Sequence, residues 1–295
     1  MDWLDKQRQS DAVRAVVAAD GWVIDVDGCL VRTAKAGGAG GTATPGAVEL
    51  LDWLRRHGRP FVVCTNASQR PVREYVLHLR EIGLDIADHE MMTAATAAAD
   101  HIALHHAGAR VLVVGDRGLD EALRDGGFTP AVAASGPGAG EGIGVVVVGA
   151  ADTFTSAALN AACLAIADHG AAFYVTVDTP WFHGGVGRSV ASSSAMAAAI
   201  AAVTGCRPIV CGKPSPAIGE VLRKRLGGAD RKLVVVGDMA SIEIQLARQM
   251  GALGVLVMSG GTSLAELPGL PPEHQPHLQV DDVGALVQHM KAIAP

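Results

Sequence analysis

The stretch Trp22–Leu30, WVIDVDGCL, decides the fold. It begins with β-formers in a continuous apolar run, which is typical of a strand buried on both faces of a parallel sheet. Asp25 and Asp27 follow where this strand ends. Open α/β sheets bind ligands at the carboxyl ends of their strands, so these two carboxylates are placed for chemistry. The alternative is that they only end a strand or cap a helix, since aspartate does both.

The composition excludes several classes of function. The 295 residues are 49% hydrophobic and 18% charged, with a net charge of −6 and no basic cluster, so we expect a globular protein that does not bind nucleic acid. No apolar run reaches the roughly 18 residues of a membrane span. The N-terminus is charged from its second residue, unlike a signal peptide. Five scattered cysteines without a Cys-x-x-Cys pair favour a reducing, cytoplasmic setting.

The succession of strand and helix patterns predicts an α/β fold with a doubly wound parallel-sheet core. An extra amphipathic helix, residues 1–19, precedes the first strand. Residues 84–190 restart the alternation of strands and helices, and a block of this length favours an inserted α/β cap domain over a continuation of one sheet. We therefore expect two core segments, residues 1–83 and 191–295, on either side of the cap.

Three further strand ends carry polar side chains. Thr65 and Asn66 follow the strand FVVC, where a hydroxyl and an amide are suited to binding phosphate oxygens. Lys213 stands in a stiff Gly-Lys-Pro turn after another short strand. Asp238 follows the strand LVVV. Because parallel strands end at the same edge, we expect all of these side chains to meet at one edge of one sheet.

Such a convergence predicts phosphoryl chemistry. Two carboxylates from different strands and a backbone carbonyl make an oxygen-rich site of the kind that Mg²⁺ takes. A lysine and a hydroxyl beside it complete a phosphate-binding site. A carboxylate next to a metal ion and a lysine stays ionised and can attack phosphorus. A second carboxylate can protonate the leaving oxygen and later deprotonate a water molecule.

The motifs DVDGCL, CTNAS, CGKPSP and VVVGDMASIE, in that order, resemble those of the haloacid dehalogenase (HAD) superfamily of phosphatases. The chain is similar to the type IIA branch, which carries a large α/β cap between its second and third motifs. That branch includes NagD and the p-nitrophenyl, phosphoglycolate, pyridoxal and sugar-phosphate phosphatases. The resemblance covers about residues 22–290. It implies a Rossmann-like core, Mg²⁺ as cofactor and a homodimer formed through the cap.

The resemblance also implies a role for each matching residue. Asp25 corresponds to the nucleophile, and Asp27 to the general acid/base whose backbone carbonyl also touches the metal ion. Thr65 and Asn66 correspond to the phosphate-binding pair, and Lys213 to a charge clamp on the same phosphate. The implied metal ligands are Asp25, the Asp27 carbonyl and Asp238.

In the cap, the resemblance implies substrate contacts at the segment Thr176–Asp178. We expect Asp178, Trp181 and His183 to set specificity. For the aromatic residues Trp181 and Phe182, packing in the core of the cap is an equally favoured interpretation.

The chain departs from the family pattern in several places. The branch usually has aspartates three and five residues after the position of Asp238, where this chain has Ser241 and Glu243. Glutamate can still hold a metal-bound water, so we expect activity with an altered metal affinity. Cys29 replaces the usual threonine. The glycine-rich loop, residues 36–46, is longer than expected and is either a flap over the site or a surface linker.

Other residues have competing interpretations. Gly115-Asp116 also matches a metal-binding strand end, but its place in the inserted block favours Asp238. His101, His105 and His106 have metal-ligand spacing on a helix; without an acidic partner motif, a solvated polar face is the favoured interpretation. Three cysteines lie close to predicted site residues: Cys29, Cys64 and Cys211. We favour a role in packing over redox sensitivity for them.

The function predicted from these observations is a Mg²⁺-dependent phosphatase for a phosphomonoester of a small metabolite. Candidate substrates are a sugar or polyol phosphate and compounds like phosphoglycolate or pyridoxal phosphate. The alternatives are a phosphotransferase on the same scaffold and a catalytically silent protein that binds phosphorylated metabolites. Cleavage of a carbon–phosphorus bond would need a cap lysine, and residues 84–190 contain none.

Overall fold

The computed structural model of the chain describes residues 3–32, 40–136, 138–183 and 188–294. The chain forms two compact units. The first unit comprises Met1–Thr65, Val76–Met91 and Leu222–Pro295, and the second unit comprises Asn66–Tyr75 and Met92–Val221. Within the described ranges, none of the helices combines the length and the apolar character that crossing a lipid bilayer requires.

Strands and helices alternate along most of the described chain. The strands are β1 (Gly21–Asp25), β2 (Val31–Arg32), β3 (Thr42–Ala43), β4 (Phe61–Thr65), β5 (Met91–Thr93), β6 (Val111–Val114), β7 (Val145–Val148), β8 (Ala172–Val175), β9 (Trp181–His183), β10 (Arg188–Val190), β11 (Ile209–Val210), β12 (Leu233–Gly237), β13 (Leu253–Val257) and β14 (Leu278–Val280). The helices are α1 (Trp3–Val17), α2 (Ala47–Arg56), α3 (Val72–Glu81), α4 (Ala94–His105), α5 (Arg117–Asp125), α6 (Ser156–Ala167), α7 (Ser192–Thr204), α8 (Pro216–Arg225), α9 (Gln245–Met250) and α10 (Val283–Lys291). A π-helical turn, Ala240–Ile244, precedes α9.

A six-stranded sheet has the order β14-β13-β12-β1-β4-β5. β1 runs parallel to both neighbours, with Ile24 beside Val236 of β12 and Asp25 beside Cys64 of β4. The chain builds outward from β1 through β4 and β5, and later in the other direction from β12 through β13 and β14. The strand order therefore reverses between β1 and β12, and open α/β sheets bind ligands at such a switch point. The predicted doubly wound parallel-sheet core is confirmed.

The central strands are apolar because both faces of the sheet are covered. All five residues of β1 and all five of β12 are buried. The helix α2 turns Leu50, Leu54 and Trp53 into the core. The Trp53 ring centroid lies 6.4 Å from that of Trp22 in β1, a contact of the kind that adds about 0.5–1.5 kcal/mol beyond area burial. This packing fixes the strand that ends in Asp25.

The second unit is built on a four-stranded parallel sheet in the order β11-β8-β7-β6. Alternate residues of each strand join different cores, as the two-residue period of a strand requires. Val145 and Val147 pack with buried residues of α4 and α5, whereas Val146 and Val148 pack with those of α6 and α7. Helices therefore cover both faces of this sheet too.

The prediction for the strand before Lys213 was wrong. This strand is β11, and it pairs with β8, with Ile209 beside Tyr174, so it belongs to the four-stranded sheet and not to the sheet of β1. A two-residue strand has no hydrophobic pattern that selects its partner, because pairing depends on tertiary neighbours. The assignment of residues 84–190 as a cap domain stays a prediction.

The glycine-rich loop is only partly described, since residues 33–39 lie outside the described ranges. Within the loop, Thr42–Ala43 forms β3 and pairs antiparallel with β2. The next residue, Thr44, is buried, and its hydroxyl donates a hydrogen bond of 2.7 Å to the carbonyl of Cys29. The loop is thereby tied back to the turn that follows β1.

Candidate active site

Two buried carboxylates flank the switch point of the six-stranded sheet. Asp25 is the last residue of β1 and is 7% exposed; Asp238 follows β12 directly and is 6% exposed. On the other side of β1, the buried Thr65 ends β4. Neighbouring strands lie roughly 4.8 Å apart, so these strand ends are close together at the carboxyl edge. For the residues of the first unit, the convergence predicted from the sequence is present.

The turn after β1 holds Asp27 at the same edge. The amide of Gly28 donates to the carbonyl of Val31 at 2.8 Å, and the amide of Val31 donates to the carbonyl of Val26 at 2.9 Å. Gly28 has φ +84°, a conformation that glycine adopts without strain. Asp27 lies inside this turn and is partly exposed. Its backbone is therefore fixed while its carboxylate remains accessible to solvent.

A backbone cradle surrounds the Asp238 carboxylate. The amide of Gly261 donates a hydrogen bond to Oδ2 of Asp238. A Cβ atom added at Gly28 or at Gly260 would overlap the carboxylate group. The cradle is joined to the turn after β1, because the Ser259 hydroxyl donates to the carbonyl of Gly28 at 2.7 Å. Sequence reasoning missed this cradle, although a Gly-Gly pair just after β13 is a signal of close backbone approach.

Glu243 lies on the π-helical turn and is 3% exposed. Its Oε2 accepts a hydrogen bond of 3.1 Å from the amide of Met239. The side chain packs so closely on Gly237 that a Cβ there would overlap it. Ser241, the other departure from the family pattern, is exposed. Glu243 thus holds the start of the turn that follows Asp238, and its role toward a metal-bound water stays a prediction.

In the second unit, Asn66 holds the backbone of Lys213 from both sides. Its Oδ1 accepts from the amide of Lys213 at 2.8 Å, and its Nδ2 donates to the carbonyl of Lys213 at 2.9 Å. Lys213 is 3% exposed, and the peptide bond to Pro214 is cis. These contacts give Asn66 a positioning role toward Lys213. Phosphate binding by either residue stays a prediction.

We expect Asn66→Ala to lower kcat/KM by about 10- to 100-fold, because the turn that carries Lys213 loses both hydrogen bonds and small displacements at a site are costly. Steady-state kinetics measure the effect. Asn160→Ala removes an exposed asparagine from α6 of the same unit and serves as the matched control. Equal activities of the two variants would contradict the positioning role.

The residues expected to set specificity lie around β9. Asp178 is exposed, and its carbonyl accepts a hydrogen bond of 2.8 Å from the Ser194 hydroxyl. Trp181 and Phe182 are 47% and 41% exposed, so the alternative that they pack the core is wrong. The Arg188 guanidinium lies 4.2 Å from the Trp181 ring centroid, a cation–π contact. The side chain of His183 lies outside the described part of the chain.

The competing strand end at Asp116 follows β6 in the four-stranded sheet. Its Oδ2 accepts hydrogen bonds from the Gln69 side chain at 3.1 Å and from the Asp152 amide at 3.2 Å. Two acidic neighbours form ion pairs with arginines: Asp120 with Arg124 and Glu121 with Arg73. Asp116 therefore orders loops of the second unit.

The cysteines near the predicted site residues are buried. Cys29, Cys64 and Cys211 each show no exposed surface, and burial raises the pKa of the Cys211 thiol to about 12. Burial also raises the pKa of the partly buried Cys163, whereas Cys206 is exposed. Thiolates are the reactive form of cysteine. These surroundings agree with the packing interpretation.

We expect a thiol-specific reagent at pH 7.5 to modify one cysteine rapidly in the native protein and all five in denaturant. The variant Cys206→Ser should lose the rapid phase and keep its activity. The rate is followed by absorbance after mixing with the reagent. A rapid phase that remains in that variant would show that another of the four thiols is accessible.

Comparisons with known proteins agree with this fold and motif order. The profile of the haloacid dehalogenase-like hydrolases matches residues 22–129, and a second profile of HAD-like hydrolases matches residues 210–286. Bos taurus chronophin is 28% identical over 292 residues, which cover 95% of this chain and 96% of chronophin. The ribonucleotide monophosphatase NagD of Escherichia coli is 28% identical over 249 residues, which cover 84% of this chain and 91% of NagD.

Solved structures agree as well. The glycerol phosphate phosphatase of Mycobacterium tuberculosis, in complex with magnesium, is 29% identical with a TM-score of 0.78, covering 92% of this chain and 78% of that one. The two profiles, the relatives and the shared fold all point to one family. The chain belongs to the haloacid dehalogenase superfamily of hydrolases, in its type IIA branch.

Proposed function

We propose that the protein is a Mg²⁺-dependent phosphatase that hydrolyses a phosphomonoester of a small metabolite through an aspartyl-phosphate intermediate on Asp25. The observation that carries this proposal is the pair of buried carboxylates at the switch point, Asp25 and Asp238, with the Thr65 hydroxyl on the neighbouring strand. Ligands of open α/β sheets bind at this place. The relatives supply the reaction class, since NagD and the acid sugar phosphatases are named as phosphatases.

The donor atoms of the first unit fit Mg²⁺. They are oxygens, which this hard cation prefers over nitrogen and sulfur. The Asp238 carboxylate accepts a hydrogen bond from the amide of Gly261. Gly28 and Gly260 have no Cβ atom that would overlap this carboxylate, so their backbone can lie close to it. Asp25, the carbonyl of Asp27 and Asp238 would hold the ion. When bound, Mg²⁺ would offset the negative charge of the phosphoryl oxygens and keep Asp25 ionised.

In the first half of the proposed reaction, an oxygen of Asp25 attacks phosphorus. A new bond forms between that oxygen and phosphorus while the ester bond to the leaving alcohol breaks. Asp27 donates its proton to the leaving oxygen, so that a neutral alcohol departs. Asp27 suits this role because it is less buried than Asp25 and stands on a fixed turn two residues further along the chain.

In the second half, water hydrolyses the aspartyl phosphate. Asp27, now ionised, accepts a proton from the water molecule as its oxygen bonds to phosphorus. The bond between Asp25 and phosphorus breaks, which releases inorganic phosphate and regenerates the Asp25 carboxylate. Asp27 ends the cycle protonated, ready for the next substrate. For Lys213, the role of a charge clamp stays the prediction made from its motif.

We propose a small phosphomonoester as the substrate. Sugar and polyol phosphates come first, since relatives are named as acid sugar phosphatases and a solved relative as a glycerol phosphate phosphatase. Phosphoglycolate-like and pyridoxal phosphate-like compounds follow from the resemblance. We further propose a cytoplasmic homodimer, which light scattering during size-exclusion chromatography would test.

The experiment that tests the function is phosphate release from a panel of sugar, glycerol and nucleoside monophosphates, phosphoglycolate, pyridoxal phosphate and p-nitrophenyl phosphate. Each is assayed with Mg²⁺ and with a chelator. We expect release from one or two compounds that the chelator abolishes and added Mg²⁺ restores. Transfer of phosphate to a second sugar would indicate a phosphotransferase, and binding without turnover would indicate a silent binding protein. Either result would overturn the proposal.

A further inference from the structure

Three potential metal ligands meet in the second unit, on two helices. His101 and His105 lie one turn apart on α4, and Glu220 lies on α8. Oε2 of Glu220 is 3.3 Å from Nε2 of His101 and 2.9 Å from Nε2 of His105. One ligand atom from each of the three residues can be chosen so that all three lie within 4.8 Å of one another. The acidic partner that the sequence pattern lacked is therefore supplied by a helix more than a hundred residues later.

The fold holds the two helices against each other. Ala95, Ala98 and Ile102 of α4 share one buried apolar cluster with Ala217 of α8. The two histidines stand four residues apart, so they lie on the same face of α4, and their ring centroids are 4.4 Å apart. Packing thus sets the spacing of the three ligand atoms before any ion binds.

The orientation of His101 is also set by packing. Its side chain is 10% exposed, and the Tyr174 ring lies edge-on with its centroid 5.8 Å away. Among the described residues, Nδ1 of His101 is buried without a hydrogen-bond partner, so Nε2, which faces Glu220, is the nitrogen that makes polar contact.

The spacing fits tetrahedral coordination. Ligand atoms about 2.05 Å from a zinc ion at tetrahedral angles lie about 3.3 Å from one another. The two measured distances to Glu220 are close to that value. Two imidazole nitrogens and one carboxylate oxygen select zinc and its transition-metal neighbours over Mg²⁺. His105 and Glu220 are both partly exposed, which leaves a path for an ion and for a water molecule as fourth ligand.

We propose that His101, His105 and Glu220 form a binding site for a divalent transition-metal ion such as Zn²⁺, which links α4 to α8. This site is separate in chemistry from the all-oxygen Mg²⁺ site of the first unit. The zinc-site proposal can be tested independently of the proposed phosphatase activity, because the test measures metal binding and thermal stability.

The test uses the full chain with saturating Mg²⁺, so that the carboxylate site is filled. Zn²⁺ binding is measured by calorimetry and Co²⁺ binding by its visible spectrum, for the wild type, His105→Gln and Glu220→Gln. We expect one zinc ion per chain and a Kd at least about tenfold weaker in each variant. Zinc at one hundred times its Kd should raise the Tm of the wild type by about 3 to 5 °C. His169→Gln, which removes an exposed histidine elsewhere in the second unit, should match the wild type.

A hydrogen-bonded His–Glu–His cluster without a metal function is the competing explanation. It predicts that zinc binds the variants and the wild type equally. That result, or the lack of saturable zinc binding to the wild type, would overturn the proposal. If no compound of the phosphatase panel is hydrolysed, the zinc affinity and the Tm shift are still expected as stated here.

Discussion

Replacing Asp25 by asparagine is expected to lower kcat by at least about 1,000-fold, with the fold unchanged. An amide has no ionised oxygen with which to attack phosphorus, and removal of a nucleophile is among the costliest changes that an enzyme can undergo. Asparagine has nearly the same volume as aspartate, so the buried position at the end of β1 remains filled. Steady-state kinetics measure kcat, and single-turnover phosphate release shows whether the chemical step itself is slowed.

Two controls make this result specific. Asp52→Asn changes an exposed aspartate on α2 of the same unit and should retain wild-type kinetics. Asp25→Ala guards against slow deamidation of the new asparagine, which would restore activity with time. Circular dichroism and the Tm report folding. A variant at position 25 that keeps a tenth of the wild-type rate would remove Asp25 from the mechanism.

Gly28→Ala is expected to lower kcat/KM by at least about 100-fold. The substitution places a methyl group where the Asp238 carboxylate lies, so either the carboxylate or the turn after β1 must move. A displacement of about 1 Å at a site can cost about 100-fold in rate. We also expect a higher Mg²⁺ concentration for half-maximal activity, because Asp238 is a proposed ligand. Kinetics over a range of Mg²⁺ concentrations measure both effects.

The matched control separates this collision from backbone strain. Gly83 also has a positive φ, +90° against +84° at Gly28, but a Cβ there meets no atom within 4 Å. Alanine in the left-handed conformation costs about 1–2 kcal/mol at either position. Gly83→Ala should therefore lose stability and keep its activity. If both variants lose stability equally and both keep activity, the contact between Gly28 and Asp238 has no functional role.

The sequence predicted the elements that have a clear period. The strands Val111–Val114, Val145–Val148 and Leu253–Val257 are mostly β-branched and aliphatic residues between turn signals, a pattern that leaves little choice of element. The end of β1 was predicted for the same reason, and with it the positions of Asp25 and Asp27 at the sheet edge.

Features that depend on distant pairing were not predictable in this way. The two residues of β11 join the four-stranded sheet through contacts with β8, which no local pattern specifies. β14 lies in a segment whose sequence favours a proline-rich connection between elements. The pairing of Glu220 with His105 joins residues 115 positions apart, and helix spacing on α4 alone favoured a solvated face.

The candidate site was predicted only where side chains carry chemistry. Asp238 stands out as an acidic residue after a strand, whereas the groups that fix it are a backbone amide and the bare Cα atoms of glycines. The type of a residue does not indicate which hydrogen bonds its backbone groups form. The sequence therefore indicated the ligands of the proposed metal ion more readily than the cradle that holds one of them.

The glycine cradle has a consequence for how tolerance to mutation is read in this protein. In a saturation mutagenesis screen scored by activity, Gly28 and Gly260 should rank beside Asp238 among the least tolerant positions of the first unit, although neither has a functional group. Ser259, which contributes a single hydroxyl, should accept threonine. Ranking positions by the chemistry of their side chains would therefore leave part of the candidate active site out, and libraries that aim to change the substrate should keep these glycines fixed.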